Sequence, residues 1–174
     1  EGVVAFSKTY LPSLSNGAFD DPRLNLVIAD GSDFMMKSSD EFDVIIIDST
    51  DPIGPGEALF TDHFYSHAKK CLADGGVMVT QNGVPFMQPD ELQSTMYAFQ
   101  RLFLDWGCYT ACIPTYAGGP MAFGWGALSP APRNVSVDML RERLTAARLD
   151  LAYYTPDVHK AAFSLPRYIE KLLP

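Results

Sequence analysis

At 174 residues the chain can bury a sizeable core as one domain, and with 47% apolar and 20% charged residues its composition is that of an ordinary globular protein. A formal net charge of −8 argues against a nucleic-acid partner and mildly favours cationic ligands. No run of 18 apolar residues occurs, which removes a membrane-spanning helix; three cysteines without metal-like spacing, Cys71, Cys108 and Cys112, fit reduced thiols in a reducing compartment.

The chain opens on EGVVAFSKTYLP, without an initiator Met, and runs directly into a helical pattern over Glu1–Tyr10 closed by Pro12; something upstream is expected. Ser13–Arg23 reads as a polar loop, with Asn16-Gly17 and Asp21-Pro22 as its turn signals. Leu24–Ala29 then reads as a short apolar strand ending on Asp30-Gly31, where Gly31 permits a tight turn or a close approach to a ligand. Ser32–Lys37 suggests a short helix and Ser38–Glu41 a linker.

The stretch that organises the rest is Phe42–Glu57, FDVIIIDSTDPIGPGE. An apolar strand, Phe42–Ile47, runs into Asp48, and a loop punctuated by Pro and Gly carries Asp51 and Glu57. Open α/β sheets bind ligands at the carboxyl ends of their strands, so Asp48 and Asp51 there suit a cationic or amine substrate. The plain alternative is that Asp48 only caps a turn.

Thr61 is placed to cap a helix reaching about Leu72, with Phe64, Ala68, Cys71 and Leu72 as its inner stripe. Asp74-Gly75-Gly76 is expected to end that helix, and Val77–Thr80 to form a strand that delivers Gln81 and Asn82 to a loop. Pro89 suits the first turn of the next helix, with Asp90 and Glu91 at its positive end and Leu92, Met96, Phe99 and Phe103 on one face. Cys108–Pro114 and Met121–Leu128 suggest a hairpin joined by Thr115–Pro120, within which core packing is the default for Met121 and Trp125. Ala131–Arg133 is a linker. Val137, Leu140, Leu144, Ala147 and Leu151 mark a further helix face, and the tail holds two proline-started helical pieces. His63 and His67, four apart on a helix, lack a third ligand, and packing or solvent contact is the simpler role for them.

Helices alternating with strands that end on Asp30, Asp48 and Gln81 predict an α/β fold. Its sheet is expected to be mostly parallel, covered on both faces, with an antiparallel C-terminal hairpin. No G-x-G-x-x-G occurs, so either no nucleotide binds or the first part of such a fold is absent.

The segments SKTYLP, GAFDDPRL, ADG, FDVIIIDSTDPIGPGE, IPTYAGGPMAFGWG and YYTPDVHKAAFSLPRYI resemble the polyamine aminopropyltransferases, specifically bacterial-type spermidine synthases, in unbroken order along essentially the whole chain. The resemblance implies a methyltransferase-like Rossmann fold behind a small β-rich domain, assembled as a homodimer or homotetramer in the cytoplasm. It implies transfer of an aminopropyl group from decarboxylated S-adenosylmethionine to putrescine, giving spermidine and 5'-methylthioadenosine. The nucleoside is then a co-substrate, and neither a cofactor nor a metal is called for. Carried over by position, Asp48 is the catalytic proton acceptor. Asp51 holds the amine, and Ser49 and Thr50 shape the loop between them. Asp30 and Gly31 meet the adenine end of the nucleoside, and Pro55 touches the nucleoside from a gatekeeping loop. Gln81 and Tyr116 line the channel for the amine and the aminopropyl chain.

The resemblance places a first strand, a glycine-rich turn and the acidic residue that ends a second strand upstream of Glu1. Residues 1–174 are therefore expected to be an incomplete Rossmann-like catalytic domain, without the β-rich domain and the first β-α-β part. With strand order 3-2-1-4-5-7-6, Leu24–Ala29 is strand three and Phe42–Ile47 strand four, so removing the first two strands leaves open edges and an apolar gap. Such a piece by itself is expected to be unstable or inactive. Two other readings stay open on the sequence: a small-molecule methyltransferase using S-adenosylmethionine, and an inactive fragment serving as an oligomer partner. The paired aspartates of DSTD weigh against the first.

Overall fold

The computed structural model describes residues 1–39 and 41–174, and of Pro55 the backbone alone. Its centre is a four-stranded sheet made of β1 (Phe42–Ile47), β2 (Leu72–Gln81), β3 (Asp105–Ala111) and β4 (Met121–Ala127), in the order β1-β2-β4-β3. β1 and β2 run parallel, while β4 is antiparallel to both β2 and β3. This is the strand-four, five, seven, six portion of the expected order, hairpin included. Ile47 pairs with Thr80 and Gln81 with Phe123, so β1 and β2 end level and release Asp48 and Asn82 at the same rim.

Three helices cover one face: α3 (Gly31–Lys37), α4 (Asp62–Lys70) and α5 (Pro89–Leu102). Pro89 opens α5, where its missing N–H is no loss, and the acidic first turn suits the helix's positive end. The apolar face read from the sequence is the buried one, with Leu92, Met96 and Phe99 fully enclosed and Phe103 closing the end. Small residues on β4 let α5 come this close. A Cβ on Gly124 would lie 2.9 Å from Met96 Cε, and one on Gly126 2.4 Å from Phe103 Cδ2. Thr61 caps α4 as expected, its hydroxyl accepting from the Phe64 N–H at 3.1 Å.

Several expectations are corrected. Leu24–Ala29 joins no ladder: a strand exists only through a partner, and no described residue pairs with it, so Leu24, Leu26, Val27 and Ile28 stay exposed. The outer face of β1 is bare too, with Val44 and Ile46 exposed while Ile45 and Ile47 are buried. Nor does Asp74-Gly75-Gly76 end α4. The helix stops at Lys70, and those residues sit in a bulge of β2 between the Phe42↔Leu72 and Val44↔Val77 pairs, with Gly75 at φ 77°. The polar stretch after α1 (Gly2–Tyr10) contains a one-turn helix, α2 (Pro12–Ser15), and a 3-10 turn at Ala18–Asp20; none of these three elements has a buried residue. Within the linker expected at 38–41, Asp40 lies outside the described residues.

Beyond the hairpin, α6 (Val137–Ala147) ends at Arg148 in a left-handed conformation, so Leu151 falls outside the helix it was expected to extend. The two proline-started pieces are α7 (Pro156–Ala161) and α8 (Arg167–Glu170). The end of α7 is tied to β3, where the Thr110 N–H donates to the Ala162 carbonyl at 2.9 Å. Ile169 of α8 is fully buried in the core. Among the described residues no helix is long and apolar enough to cross a membrane.

Candidate functional site

The level ends of β1 and β2 open into a cleft of about 500 Å³ lined by Asp48, Ser49, Thr50, Asp51, Gln81 and Tyr116, among others. The residues predicted to bind substrate are thus brought together from three separate segments: the loop after β1, the end of β2 and the hairpin loop between β3 and β4. Among the described residues, the only charged side chains lining the cleft are the carboxylates of Asp48 and Asp51, both exposed to water. Such a lining attracts a cation and repels an anion.

Gln81 has a more structural part than its prediction as channel lining suggests. It is 5% exposed, its Nε2 donates to the Ser49 carbonyl at 3.1 Å, and its Oε1 accepts from the Gly83 N–H at 3.0 Å. One amide therefore fastens the loop after β1 to the loop after β2 and fixes where Asp48 and Asp51 begin. A 3-10 segment, Gly54–Phe60, supports the loop from the other side. There the backbone of Gly56 lies so close that a Cβ would stand 2.7 Å from both the Asp51 carbonyl and Thr50 Oγ1. Only glycine permits that approach, which is the physical reason for GPGE after the acidic pair.

Residues assigned no ligand role from the sequence, Met121 among them as a packing residue, build the rest of the wall. Gly83, Val84, Met87 and Gln88 line the cleft from the β2–α5 connection, and Thr115 and Met121 from the hairpin. Behind them Asn82, fully buried, donates to Thr95 Oγ1 at 2.8 Å and accepts from the Gly124 N–H at 2.9 Å, and Thr95 meets the Tyr65 hydroxyl at 3.3 Å. Burial pushes the Tyr65 phenol up to about 12, against smaller opposing effects of its hydroxyl partners. Glu91, in the first turn of α5, is 9% exposed, and its carboxyl is pushed up to about 7, first by burial and second by the negative charge of Asp51. A loop of mixed polar residues and a helix-start carboxylate carry no sequence signal that separates these roles from ordinary capping.

Next to the polar cleft lies an apolar one of about 440 Å³, which shares Asp48, Gln81, Tyr116 and Met121 with it and adds Val79, Tyr109 and Phe123. Asp48 and Tyr116 stand where the two meet. Trp125 is in neither. It faces a third, apolar cavity of about 350 Å³ beside α7, with the Arg133 guanidinium 4.6 Å from its ring centre, so its default reading as a packing residue fits.

Asp30 and Gly31 are not brought to the carboxylate cleft. Asp30 caps α3, its Oδ1 accepting from the Asp33 N–H at 2.9 Å. Gly31 has no positive φ, and a Cβ there would meet only Leu59 Cδ2 at 3.7 Å, so no tight turn requires it. The side chain of Pro55 lies outside the described residues. His63 and His67 meet on α4 with ring centres 4.4 Å apart and their planes tilted by 56°, and the His67 Nδ1 lies 2.8 Å from the His63 carbonyl. Among the described residues no group of three His, Cys, Asp or Glu side chains is placed to hold a metal ion.

The spermine/spermidine synthase domain model matches residues 1–135. The polyamine aminopropyltransferase of Ruegeria sp. (strain TM1040) is 65% identical over 173 residues, covering 99% of this chain and 61% of the relative. That of Pseudomonas syringae pv. tomato (strain ATCC BAA-871 / DC3000) is 51% identical over 167 residues, covering 96% of this chain and 58% of the relative. A solved spermidine synthase in complex with the transition-state analogue AdoDATO superposes with TM-score 0.89 at 33% identity, covering 98% of this chain and 57% of that one. The spermidine synthase of Thermotoga maritima gives TM-score 0.86 at 32% identity, covering 98% and 56%. The chain therefore spans about three-fifths of the length of the relatives it matches.

Proposed function

Because this chain belongs to the spermine/spermidine synthase family, we propose that it carries the amine-binding and proton-accepting part of an aminopropyltransferase site. The reaction is transfer of the aminopropyl group of decarboxylated S-adenosylmethionine to putrescine. One observation carries this reading: among the described residues, Asp48 and Asp51 are the only charged side chains of a cleft at the level ends of two parallel strands, and an apolar cleft adjoins it.

A protonated amine cannot attack, since its lone pair is engaged. Asp48 accepts that proton as the nitrogen approaches the propyl carbon next to sulfur. The N–C bond forms while the C–S bond breaks, and the electron pair of that bond stays on sulfur. The sulfonium thus leaves as the neutral thioether of 5'-methylthioadenosine, with no acid needed for the departure. The rest of the acceleration comes from alignment. Asp51 holds the ammonium, Ser49 and Thr50 set the loop, and Gln81 fixes its origin through the Ser49 carbonyl. Tyr116, 54% exposed on the hairpin loop, covers the aliphatic chain at the boundary of the two clefts.

In the same proposal Asp30, with one oxygen already used to cap α3, offers the other to the adenine end of the nucleoside. Gly31, at the start of α3, and Pro55, in the 3-10 segment, approach the nucleoside. The domain is the catalytic Rossmann-like unit, no separate cofactor takes part, the assembly is a homodimer or homotetramer, and the setting is the cytoplasm, in keeping with the unbridged thiols of Cys108 and Cys112.

The test is product analysis of the full chain with putrescine and either decarboxylated or intact S-adenosylmethionine. Spermidine and 5'-methylthioadenosine from the decarboxylated nucleoside alone are expected. A methylated amine from the intact nucleoside would replace this reading with a methyltransferase, and no product from either would leave an inactive chain.

A further inference from the structure

Among the described residues, Glu91 is the one buried acid that the reaction above does not use. It lies in the first turn of α5, and Asp90 beside it is exposed. Both carboxyl oxygens are enclosed and lack a hydrogen-bond partner. Four residues on, along the same helix face, Thr95 joins the buried network of Asn82 and Tyr65. Glu91 therefore sits in the wall behind the cleft, within electrostatic reach of Asp51 in front and Tyr65 on α4 beside it.

Among the described residues, the groups around it offer no counter-charge. From the loop after β1 comes Asp51, a like charge, and from α4 the neutral Tyr65 phenol. Asp62, at the start of α4, is paired with Arg101 near the far end of α5. β2 and β4 turn Met78, Thr80, Ala122, Gly124 and Gly126 toward this helix, none of them ionisable. An unpaired buried carboxylate is costly, so the group takes up a proton instead. The positive end of α5 favours the ionised form, but burial and Asp51 outweigh it.

We propose that Glu91 is a positioning residue for the cationic amine: it keeps a proton behind Asp51 while the cleft is empty and releases it when the amine docks. The inference rests on the amine-site reading of the preceding subsection. The arriving ammonium offsets the charge of Asp51, which removes the second of the two causes that hold the proton on Glu91 and lowers its pKa. The proton goes to solvent, and the negative charge left on Glu91 in the wall adds to the field that holds the amine. Amine binding tightens as pH rises through neutrality, because less proton has to be expelled.

The test is calorimetry of putrescine binding to the full chain, with 5'-methylthioadenosine present, at pH 6, 7 and 8 in buffers of different ionisation enthalpy. Since the empty-site carboxyl is pushed up to about 7 and burial acts on it in both states, a measurable release of at most about half a proton per amine bound is expected at pH 7. In Glu91→Gln that release should vanish, and the KM for putrescine, falling from pH 6 to 8 in the wild type, should become flat. If the variant does not fold, carboxyl-carbon NMR of the wild type carries the test: one glutamate should titrate near neutrality in the empty protein and move lower with putrescine bound. Amine binding without proton release, or equal release in Glu91→Gln, overturns the role of Glu91 and leaves the amine site standing. No putrescine binding at all overturns both.

Discussion

The two walls of the cleft are built in opposite ways. The wall after β1 presents Asp48, Thr50 and Asp51 to water, and its backbone is held by the Gln81 amide and by contact with Gly56. The wall after β2 is part of the core: Gln81, Asn82, Val84 and Glu91 are all buried, and Asn82 is hydrogen-bonded on both sides of its amide. The difference teaches a division of labour. The carboxylates proposed to meet a ligand stay hydrated, where carrying charge costs little, and the geometry that aims them is stored in neutral hydrogen bonds packed under α5.

Substitutions on each wall should therefore fail in different ways. The largest effect is expected for Asp48→Asn, which keeps the shape and removes the base. Turnover should fall by about 10²–10⁴-fold with a modest change in nucleoside binding; wild-type turnover in a steady-state assay would remove Asp48 from the role of proton acceptor. On the buried wall, Gly124→Ala places a methyl 2.7 Å from Asn82 Oδ1 and 3.1 Å from Thr95 Cγ2. Overpacking of this kind costs about 1–3 kcal/mol, so thermal unfolding should shift down by roughly 2–4 °C for each kcal/mol lost. A melting curve unchanged from wild type would mean that β4 and α5 are not packed as tightly as the geometry requires.

Gly56→Ala brings the comparison to the exposed wall. The added methyl meets the Asp51 carbonyl and Thr50 Oγ1, so the loop that aims Asp51 must move. The KM for amine should rise by about tenfold, equivalent to roughly 1.4 kcal/mol, with a smaller change in melting temperature than Gly124→Ala produces. If stability falls more than KM rises, the loop is part of the core and the distinction between the walls collapses.

The smallest effect is a difference in pH dependence. The Glu91 carboxyl is raised from 4.5 in the unfolded chain to about 7 in the folded one, so between those values the folded state binds more protons than the unfolded. Stability from this group is full below pH 4.5 and is lost as pH rises toward 7, by about 1–3 kcal/mol. The melting temperature of Glu91→Gln relative to wild type should therefore climb between pH 4.5 and 7 and level off above. A constant offset across that range would show that Glu91 carries no shifted proton.

How legible all this was depends on the range of the interaction involved. β1 and the buried face of α5 followed from local pattern: a run of β-branched residues ending on an acid, and Leu92, Met96, Phe99 and Phe103 at helical spacing. Leu24–Ala29 has an equally apolar pattern, yet it is not a strand, because pairing belongs to the neighbour and not to the segment. Asp74-Gly75-Gly76 looked like a helix stop because glycine serves helix ends and bulges alike. Only the register of β2 against β1 separates the two.

The candidate site divides along the same line. Asp48, Ser49, Thr50 and Asp51 are contiguous, so the sequence alone determined that two carboxylates would stand together at a strand end, and the long DSTDPIGPGE run was enough to point to the family. That Gln81 and Tyr116 would join them from distant segments rested on resemblance, and the tertiary structure decides how they do so: β2 ends level with β1, and the β3–β4 connection reaches over the cleft. The structure alone also decided the states of Asp30 and Glu91. Both are acids in or just before the first turn of a helix, and no local rule tells them apart. One is an exposed cap bonded to its own helix; the other is sealed behind Asp51 without a partner. Burial is a property of everything packed around a residue, and it is what separates this helix-start glutamate from an ordinary cap.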